Sequence, residues 1–318
     1  MYQGQYAIDY LISRVNIEDP AASSHWQKYH SNFEVNNGLV KGIEGFGSNE
    51  ISYKGLGKLF HLFFQTRYRI WALKSFKRLL IFFKFDYINS VILKKQNKGY
   101  SLDCLRQTLS LSFLLEKVPS AFSNKSSILV IGDGFASMTN LLWSTKSANT
   151  IILINLTKTL LVDLLHIKKI LNSIDFNNNV FLISENEKLN DIENLISNSN
   201  KKILLIEAKN HIFLDYLSFN LVINIVSMQE MNIEVIKEYF DHIQKKENIY
   251  FYCCNRKEKS LPDGTVTKIN EYPWQSNDKI IIDELCPWHQ EYYTFSRPFY
   301  RKYDGPIIHQ LRIMNQTN

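Results

Sequence analysis

The sequence predicts an α/β protein with a doubly wound, mostly parallel sheet of Rossmann-like form and a helical accessory region ahead of it. Three observations carry this. From residue 128 onward, short β-rich apolar runs alternate with segments whose apolar residues recur at helical spacing, the pattern of successive βαβ units. The first run, ILVIGDGFAS, closes on Gly132-Asp133-Gly134, where bare backbone meets the start of a helix. With 318 residues, 45% of them hydrophobic, the chain can bury a full-sized core.

Taken in order, residues 1–100 read as the accessory region, part loop and part amphipathic helix, and residues 101–318 as the ligand-binding domain. The Gly-marked NNGLVKGIEGFGSNE is loop-like. Leu59, Leu62, Phe63, Ile70, Leu73, Leu80 and Phe83 then follow at helical spacing. SLDCLRQTLSLSFLLEKV is a helix leading into the domain, with Ser101 as N-cap and Leu105, Leu109, Phe113 and Leu114 on one face. The predicted strands are SSILVIG, NTIILINL, NVFLIS, KKILLIEA, FNLVINIVS and IYFYCCN, with helices at about 136–146, 158–172, 187–198 and 232–246 between them. DKIIIDEL and PIIHQLRIM are joined by an aromatic loop rather than a helix, which predicts an antiparallel pair closing the sheet.

Composition excludes several classes. A charged fraction of 21%, without long Gly/Ser, Pro or Gln tracts, argues against disorder. The four cysteines have no metal-ligand or disulfide spacing, which points to a reducing compartment. The N-terminus carries acids and no basic-then-apolar leader, and no stretch approaches a membrane span, so a cytoplasmic protein is expected. The net charge of +6 is uneven. Residues 51–85 hold Lys54, Lys58, Arg67, Arg69, Lys74, Lys77, Arg78 and Lys84 and no acid, leaving the rest of the chain near neutral. This stretch has two readings: peripheral contact with an anionic membrane surface, or a helical layer over the core with its charges in water. Nucleic acid is not expected as a partner.

The glycine turn discriminates among ligands. A P-loop needs Lys-Ser/Thr after its second glycine, and Phe135-Ala136-Ser137-Met138 supplies none. A dinucleotide site wants a third glycine and an acid at the end of the second strand, where this chain has Ser137 and Asn155. S-adenosylmethionine needs strand-G-x-G-x-G/A, which Gly132, Gly134 and Ala136 fit, with Asp133 and Phe135 between them. Asn155 would then meet the ribose, or else cap the next helix. Glu207-Ala208 ends a later strand at the position of an adenine-side acid-Ala pair, and Ser227 ends the strand whose carboxyl end would face the methyl group. A tight turn with no ligand is the alternative.

HWQKYHSNFEV with GIEGFGS, ILVIGDGFASMTNLL, INLTKTLLVDL, LVINIVSMQEMN, LPDGTVTKINEYPW and DELCPWHQEYY together resemble the bacterial sugar O-methyltransferases of surface polysaccharide gene clusters. The resemblance spans about residues 24 to 312. It implies a class I, S-adenosylmethionine-dependent fold acting on a sugar hydroxyl, with residues 101–318 as the methyltransferase domain. It assigns no catalytic residue.

Chemistry narrows the rest. An alcohol must lose its proton as it accepts a methyl group, so a base or a metal is needed. The stretch Asn224–Glu230 lacks the Asn/Asp-Pro-Pro-aromatic mark of amino-group methylases, which favours an oxygen acceptor. Glu230 and His289 are the candidate bases, with His25 and His30 further candidates if the N-terminal region caps the site. Gln229 is expected at the substrate. Asp283, Glu284 and His289 leave Mg²⁺ open but match no strong motif, so no metal is assigned. The aromatic-rich 272–303 segment suits a carbohydrate wall, with Trp274 and Trp288 its best members, or simple packing of the loop. The expectation is therefore a sugar O-methyltransferase whose acceptor is a glycan, lipid-linked forms included. The alternatives are an RNA or small-molecule methyltransferase and an inactive binding module.

Overall fold

Runs such as ILVI and ILLIE have no polar alternation, so a strand made from them is stable only with both faces covered. In the computed structural model, which describes residues 1–36, 39–42, 56–123, 125–197 and 200–314, these runs are the centre of the sheet. The strands are β1 (Tyr2–Gln3), β2 (Ser127–Ile131), β3 (Thr150–Asn155), β4 (Val180–Ile183), β5 (Lys202–Glu207), β6 (Leu221–Ile225), β7 (Ile249–Arg256), β8 (Lys279–Leu285) and β9 (Ile307–Met314). Their order is β1-β4-β5-β3-β2-β6-β7-β9-β8. The strands from β4 to β7 pair in parallel, and β9 pairs antiparallel with both β7 and β8. This is the predicted doubly wound sheet with its antiparallel closure. The chain leaves β2 toward β3 on one side and returns to β6 on the other, so a crevice opens at the carboxyl ends of these strands.

The connecting helices are α6 (Ser137–Thr145), α7 (Thr157–Lys168), α9 (Leu189–Ser197) and α10 (Ile233–Gln244), close to the predicted spans; α8 (Ser173–Asn179) has no counterpart in the reading of the sequence. The N-terminal residues join the same body. β1 pairs antiparallel with β4, Tyr2 opposite Leu182, and α1 (Gln5–Arg14) buries Ala7, Ile8 and Leu11 in one core cluster with Leu160 and Leu164 of α7. A two-residue strand is too short to show a period, so only the fold reveals it. Helix α2 (Ser24–His30) follows.

The accessory helices are α3 (Leu56–Arg69), a 3₁₀ stretch Ile70–Lys74, and α4 (Phe76–Lys95), with α5 (Leu102–Lys117) beneath them. Ser101 caps α5 as predicted, accepting from the Cys104 amide at 3.2 Å. The packed stripe differs from the expected one. Leu59, Leu62, Phe63, Ile70, Leu73, Leu80 and Phe83 are each more than half exposed, whereas Phe82, Phe85, Asn89 and Ile92 are buried. The buried stripe carries polar groups that meet partners: Asn89 Nδ2 donates to Cys104 O at 3.0 Å and to Thr108 Oγ1 at 2.9 Å, and Arg78 Nε donates to Glu116 at 2.6 Å. Residues 51–55, with Lys54, and the GIEGFGS stretch beyond Gly42 lie outside the described residues. The four cysteines are free and buried, and no described helix is long and apolar enough to cross a membrane.

Candidate functional site

The glycine turn is shaped by steric necessity. Gly132 has φ +66°, and a Cβ there would lie 2.4 Å from Ser227 Oγ, so no side chain fits where β2 approaches the end of β6. Gly134, Phe135 and Ala136 continue with positive φ, turning the backbone into α6. Beside this turn lies a cavity of about 220 Å³ at the carboxyl ends of β2, β3 and β6. Gly132, Asp133, Gly134, Asn155, Ala208, Ser227 and Glu230 line it, with Ala21 and Trp26 from the N-terminal region, Asp103, Arg106 and Gln107 from α5, and Arg256, His289 and Tyr303 from the C-terminal third.

Not every residue expected at a cofactor reaches it. Phe135 turns into the core, 1% exposed, with the Lys98 ammonium 3.9 Å above its ring. Ala136, fully buried, instead gives its amide to Asp163 Oδ1 at 2.7 Å. Glu207 lies behind Ala208, accepting from Thr157 Oγ1 at 2.7 Å and facing Lys209 and Arg14 at 3.5 and 3.8 Å; of this pair only Ala208 lines the cavity. Ser227 Oγ donates to Ile131 O at 2.8 Å and accepts from Asn224 Nδ2, which pins the end of β6 to β2.

Asp133 and Asn155 line the cavity but are held from behind. Asp133 accepts from the Met138 and Thr139 amides at 2.8 and 2.7 Å, so its carboxylate occupies the start of α6. Burial nevertheless raises its pKa to about 6. Asn155 Nδ2 donates to Asp163 Oδ2 at 2.8 Å while its Oδ1 accepts from the Leu156 amide at 3.0 Å. Burial, and then the neighbouring Asp133, hold Asp163 well above the ordinary carboxylate range. This explains the amide at the end of β3: a carboxylate at 155 would face Asp163 at hydrogen-bond distance. Asn155→Asp is therefore expected to lower the denaturation midpoint at pH 8, with the loss shrinking as the pH falls and the carboxyls take up protons. Adding Asp163→Asn should restore much of the loss, and a double variant no better than the single would refute the account.

The two base candidates differ. Glu230 lines the cavity, its side chain 17% exposed, and its Oε2 lies 3.5 Å from His25 Nε2. Burial raises the carboxyl pKa to about 7, while burial, then Lys259 and Lys28, lower that of His25 to about 4, so near neutral pH the imidazole is uncharged and the carboxyl titrates. Ser23 Oγ also donates to Glu230 O, tying the N-terminal segment over the cavity. His289 is in the cavity wall, but burial, then Arg106, His309 and Arg256, hold its pKa well below the usual value. His30 is buried beneath Trp26, its ring 5.4 Å from the indole, and does not line the cavity.

Gln229 is structural. Its Oε1 accepts from the Arg256 amide at 2.7 Å and its carbonyl accepts from Thr267 at 2.9 Å, with 2% of the residue exposed. The open Mg²⁺ set does not converge: Asp283 accepts from Gln310 at 2.9 Å, Glu284 faces His309 at 3.5 Å, and His289 groups instead with Cys254 and Cys286. Burial holds the Cys286 thiol well above its ordinary pKa, so it is protonated there.

Neither expected tryptophan forms the wall. Trp288 is 1% exposed in the core, its indole donating to Ser110 Oγ at 3.1 Å; Trp274 donates to Ile269 O at 3.1 Å and stacks under Arg312. Trp26, Tyr239 and Tyr303 line the cavity instead, with the Arg106 and Arg256 guanidiniums 5.0 and 5.7 Å from the centre of the Tyr303 ring. Arg106, missed in the sequence, is 2% exposed and donates to Tyr303 OH at 2.6 Å, to Asp103 at 3.0 Å and to the carbonyl of Glu291 at 2.7 Å. One signal was available, since an arginine among the apolar residues of SLDCLRQTLSLSFLL must have buried partners. Gln107 Oε1 is buried with no hydrogen-bond partner among the described residues.

No family model matches the sequence, and no curated protein matches it. Solved structures with a similar arrangement include an rRNA methylase from Streptococcus thermophilus, at 9% identity over 65% of this chain and 96% of that one, TM-score 0.35. An S-adenosylmethionine-dependent methyltransferase from Leishmania major aligns at 12% identity over 71% of this chain and 82% of that one, TM-score 0.37. Another from Clostridium acetobutylicum aligns at 12% identity over 64% and 89%, TM-score 0.33. Likeness at this level assigns this chain neither an activity nor a substrate.

Proposed function

We propose that this protein is an S-adenosylmethionine-dependent O-methyltransferase whose acceptor is a sugar hydroxyl. The observation that carries the reading is one cavity bounded on one side by side-chain-free backbone at Gly132 and Gly134 and on another by Glu230, a carboxyl whose pKa of about 7 suits a general base at neutral pH. The cofactor supplies an activated methyl group. Gly132, Gly134 and Ser227 would border its amino-acid end, Gln107 Oε1 would accept from its ammonium, and Asn155 and Ala208 would lie beside its ribose and adenine. Asn155 keeps one free lone pair and one free N–H for such a role. The Glu230 carboxylate accepts the hydroxyl proton, with the uncharged His25 imidazole 3.5 Å away. The Trp26 indole, with Asp103 and Arg256 at the same cavity, supports a sugar acceptor.

S-adenosylhomocysteine at a hundred times its dissociation constant is expected to stabilise the protein by about 2.7 kcal/mol, read as a rise in melting temperature. No rise at millimolar ligand would favour the second reading, a binding module without activity. That reading draws on the engagement of Asp133 and Asn155 from behind by α6 and Asp163. Where the ligand binds, methyl transfer from labelled cofactor to extracted glycan is expected, and labelling of RNA alone would refute the sugar assignment.

A further inference from the structure

Helices α3 and α4 present an outer face that the fold leaves uncovered. Phe76, Leu80, Phe83 and Tyr87 recur at i, i+4, i+7 and i+11, one stripe of α4, and are 75, 58, 58 and 71% exposed. On α3, Leu59 and Phe63 are 61 and 71% exposed one turn apart. Helix α4 is thus apolar on two sides, one packed on α5 and one bare. Scattered exposed apolar residues are ordinary, but runs of them on two successive helices, with Ile70 and Leu73 between them 55 and 59% exposed, mark a contact surface.

The charges say what contacts it. Lys58, Lys77 and Lys84 are exposed beside this band, and no described carboxylate forms an ion pair with them. No acid occurs in the sequence from 51 to 85. Asp86, directly after it, is tied to Arg69 and accepts from Tyr100 OH at 2.5 Å. Pairing this face with a second copy of itself would bring lysines against lysines with no counter-charge. A hairpin, Glu291–Tyr293 paired antiparallel with Tyr300–Lys302, lies beside α3: Phe295 in its loop, 56% exposed, packs its ring 4.7 Å from His61, and Arg297 in the same loop is exposed.

We propose that the outer face of α3 and α4, with the tip of the 291–302 hairpin, seats on an anionic lipid bilayer. The aromatic and aliphatic side chains enter the boundary between headgroups and acyl chains, and Lys58, Lys77 and Lys84 meet the lipid phosphates. The assignment is independent of the methyl-transfer reading. It also gives the hairpin a role: Arg106, in the cavity wall, holds the Glu291 carbonyl at its base, so the membrane face and the cavity share one rigid connection.

The test is flotation of the full chain with vesicles of phosphatidylcholine mixed with phosphatidylglycerol, and with vesicles of phosphatidylcholine alone. Binding is expected to the mixed vesicles only, weakening as salt is raised. Phe63→Ser with Phe83→Ser should lower the partition coefficient at least about tenfold, because each removes a ring that would be buried in lipid. Lys77→Glu with Lys84→Glu should lower it by a similar factor. All four positions are exposed, so the melting temperature of each variant should match the parent. Absence of binding to the mixed vesicles would overturn the proposal. So would equal binding to both vesicle types, or a dimer in sedimentation velocity that Phe63→Ser dissociates.

Discussion

Replacing Glu230 with glutamine is expected to slow methyl transfer by about 10²–10⁴-fold while making the protein more stable above neutral pH. The two effects have one cause. Burial raises the Glu230 carboxyl from 4.5 to about 7, so the folded state holds its proton more tightly than the unfolded chain does. The stability that comes from this proton is fully present below pH about 4.5 and is lost as the pH rises through about 7. Glutamine has no proton to lose, so the variant should gain on the parent between those limits and keep its advantage above them. The raised pKa corresponds to on the order of 3 kcal/mol. In the parent, kcat/KM should fall about tenfold per pH unit below about 7, where the base becomes protonated. Denaturation at several pH values, with a pH–rate profile, checks both arms. If Glu230→Gln keeps its rate and the profile breaks well below pH 6, the base is His289, whose pKa burial drives down.

Gly132→Ala should cost both the fold and the ligand. The added Cβ would stand 2.4 Å from Ser227 Oγ and 2.5 Å from Ser227 Cβ, and φ is +66°, a conformation that costs an L-residue about 1–2 kcal/mol before any clash is counted. Relief requires separating the ends of β2 and β6, where Ser227 bonds Ile131 O and Asn224. A total loss of about 2–4 kcal/mol is expected, measured as a shift in denaturation midpoint at unchanged slope, together with loss of the thermal response to S-adenosylhomocysteine. Adding Ser227→Gly removes the clash but also the Ser227 bonds to Ile131 O and Asn224, so only part of the deficit should return. Full stability and full ligand response in Gly132→Ala would show that the close approach of β2 and β6 does not shape the cavity.

Much of the site was legible in linear order because its central feature is backbone. A strand closing on Gly-Asp-Gly announces a tight turn whatever surrounds it, and Gly132 and Gly134 line the cavity as that pattern predicts. Side chains were harder. Asp133 has the identity of a ligand-facing acid yet spends both oxygens on α6, because the start of a helix offers amides nearer than any ligand. Trp288 and Trp274 carry the composition of a sugar-binding wall, but the loop that holds them folds onto the core. Trp26, which lines the cavity, arrives from a helix more than a hundred residues earlier. Asp163, which dictates the amide at 155, sits mid-helix in LLVDLL and gives no motif at all.

The sequence by itself determined the sheet from β2 onward, its parallel centre, its antiparallel close and the place of the glycine turn. Uninterrupted apolar runs can be satisfied only by burial on both faces, and glycines only by a turn that excludes side chains. Tertiary structure decided which of two apolar stripes of α4 packs, which base candidate carries the useful pKa, and which aromatics face the cavity. These are differences between near-equal local choices. They are resolved only when distant groups come together, as Asn89 meets Thr108 at 2.9 Å, and make one choice cheaper than the other.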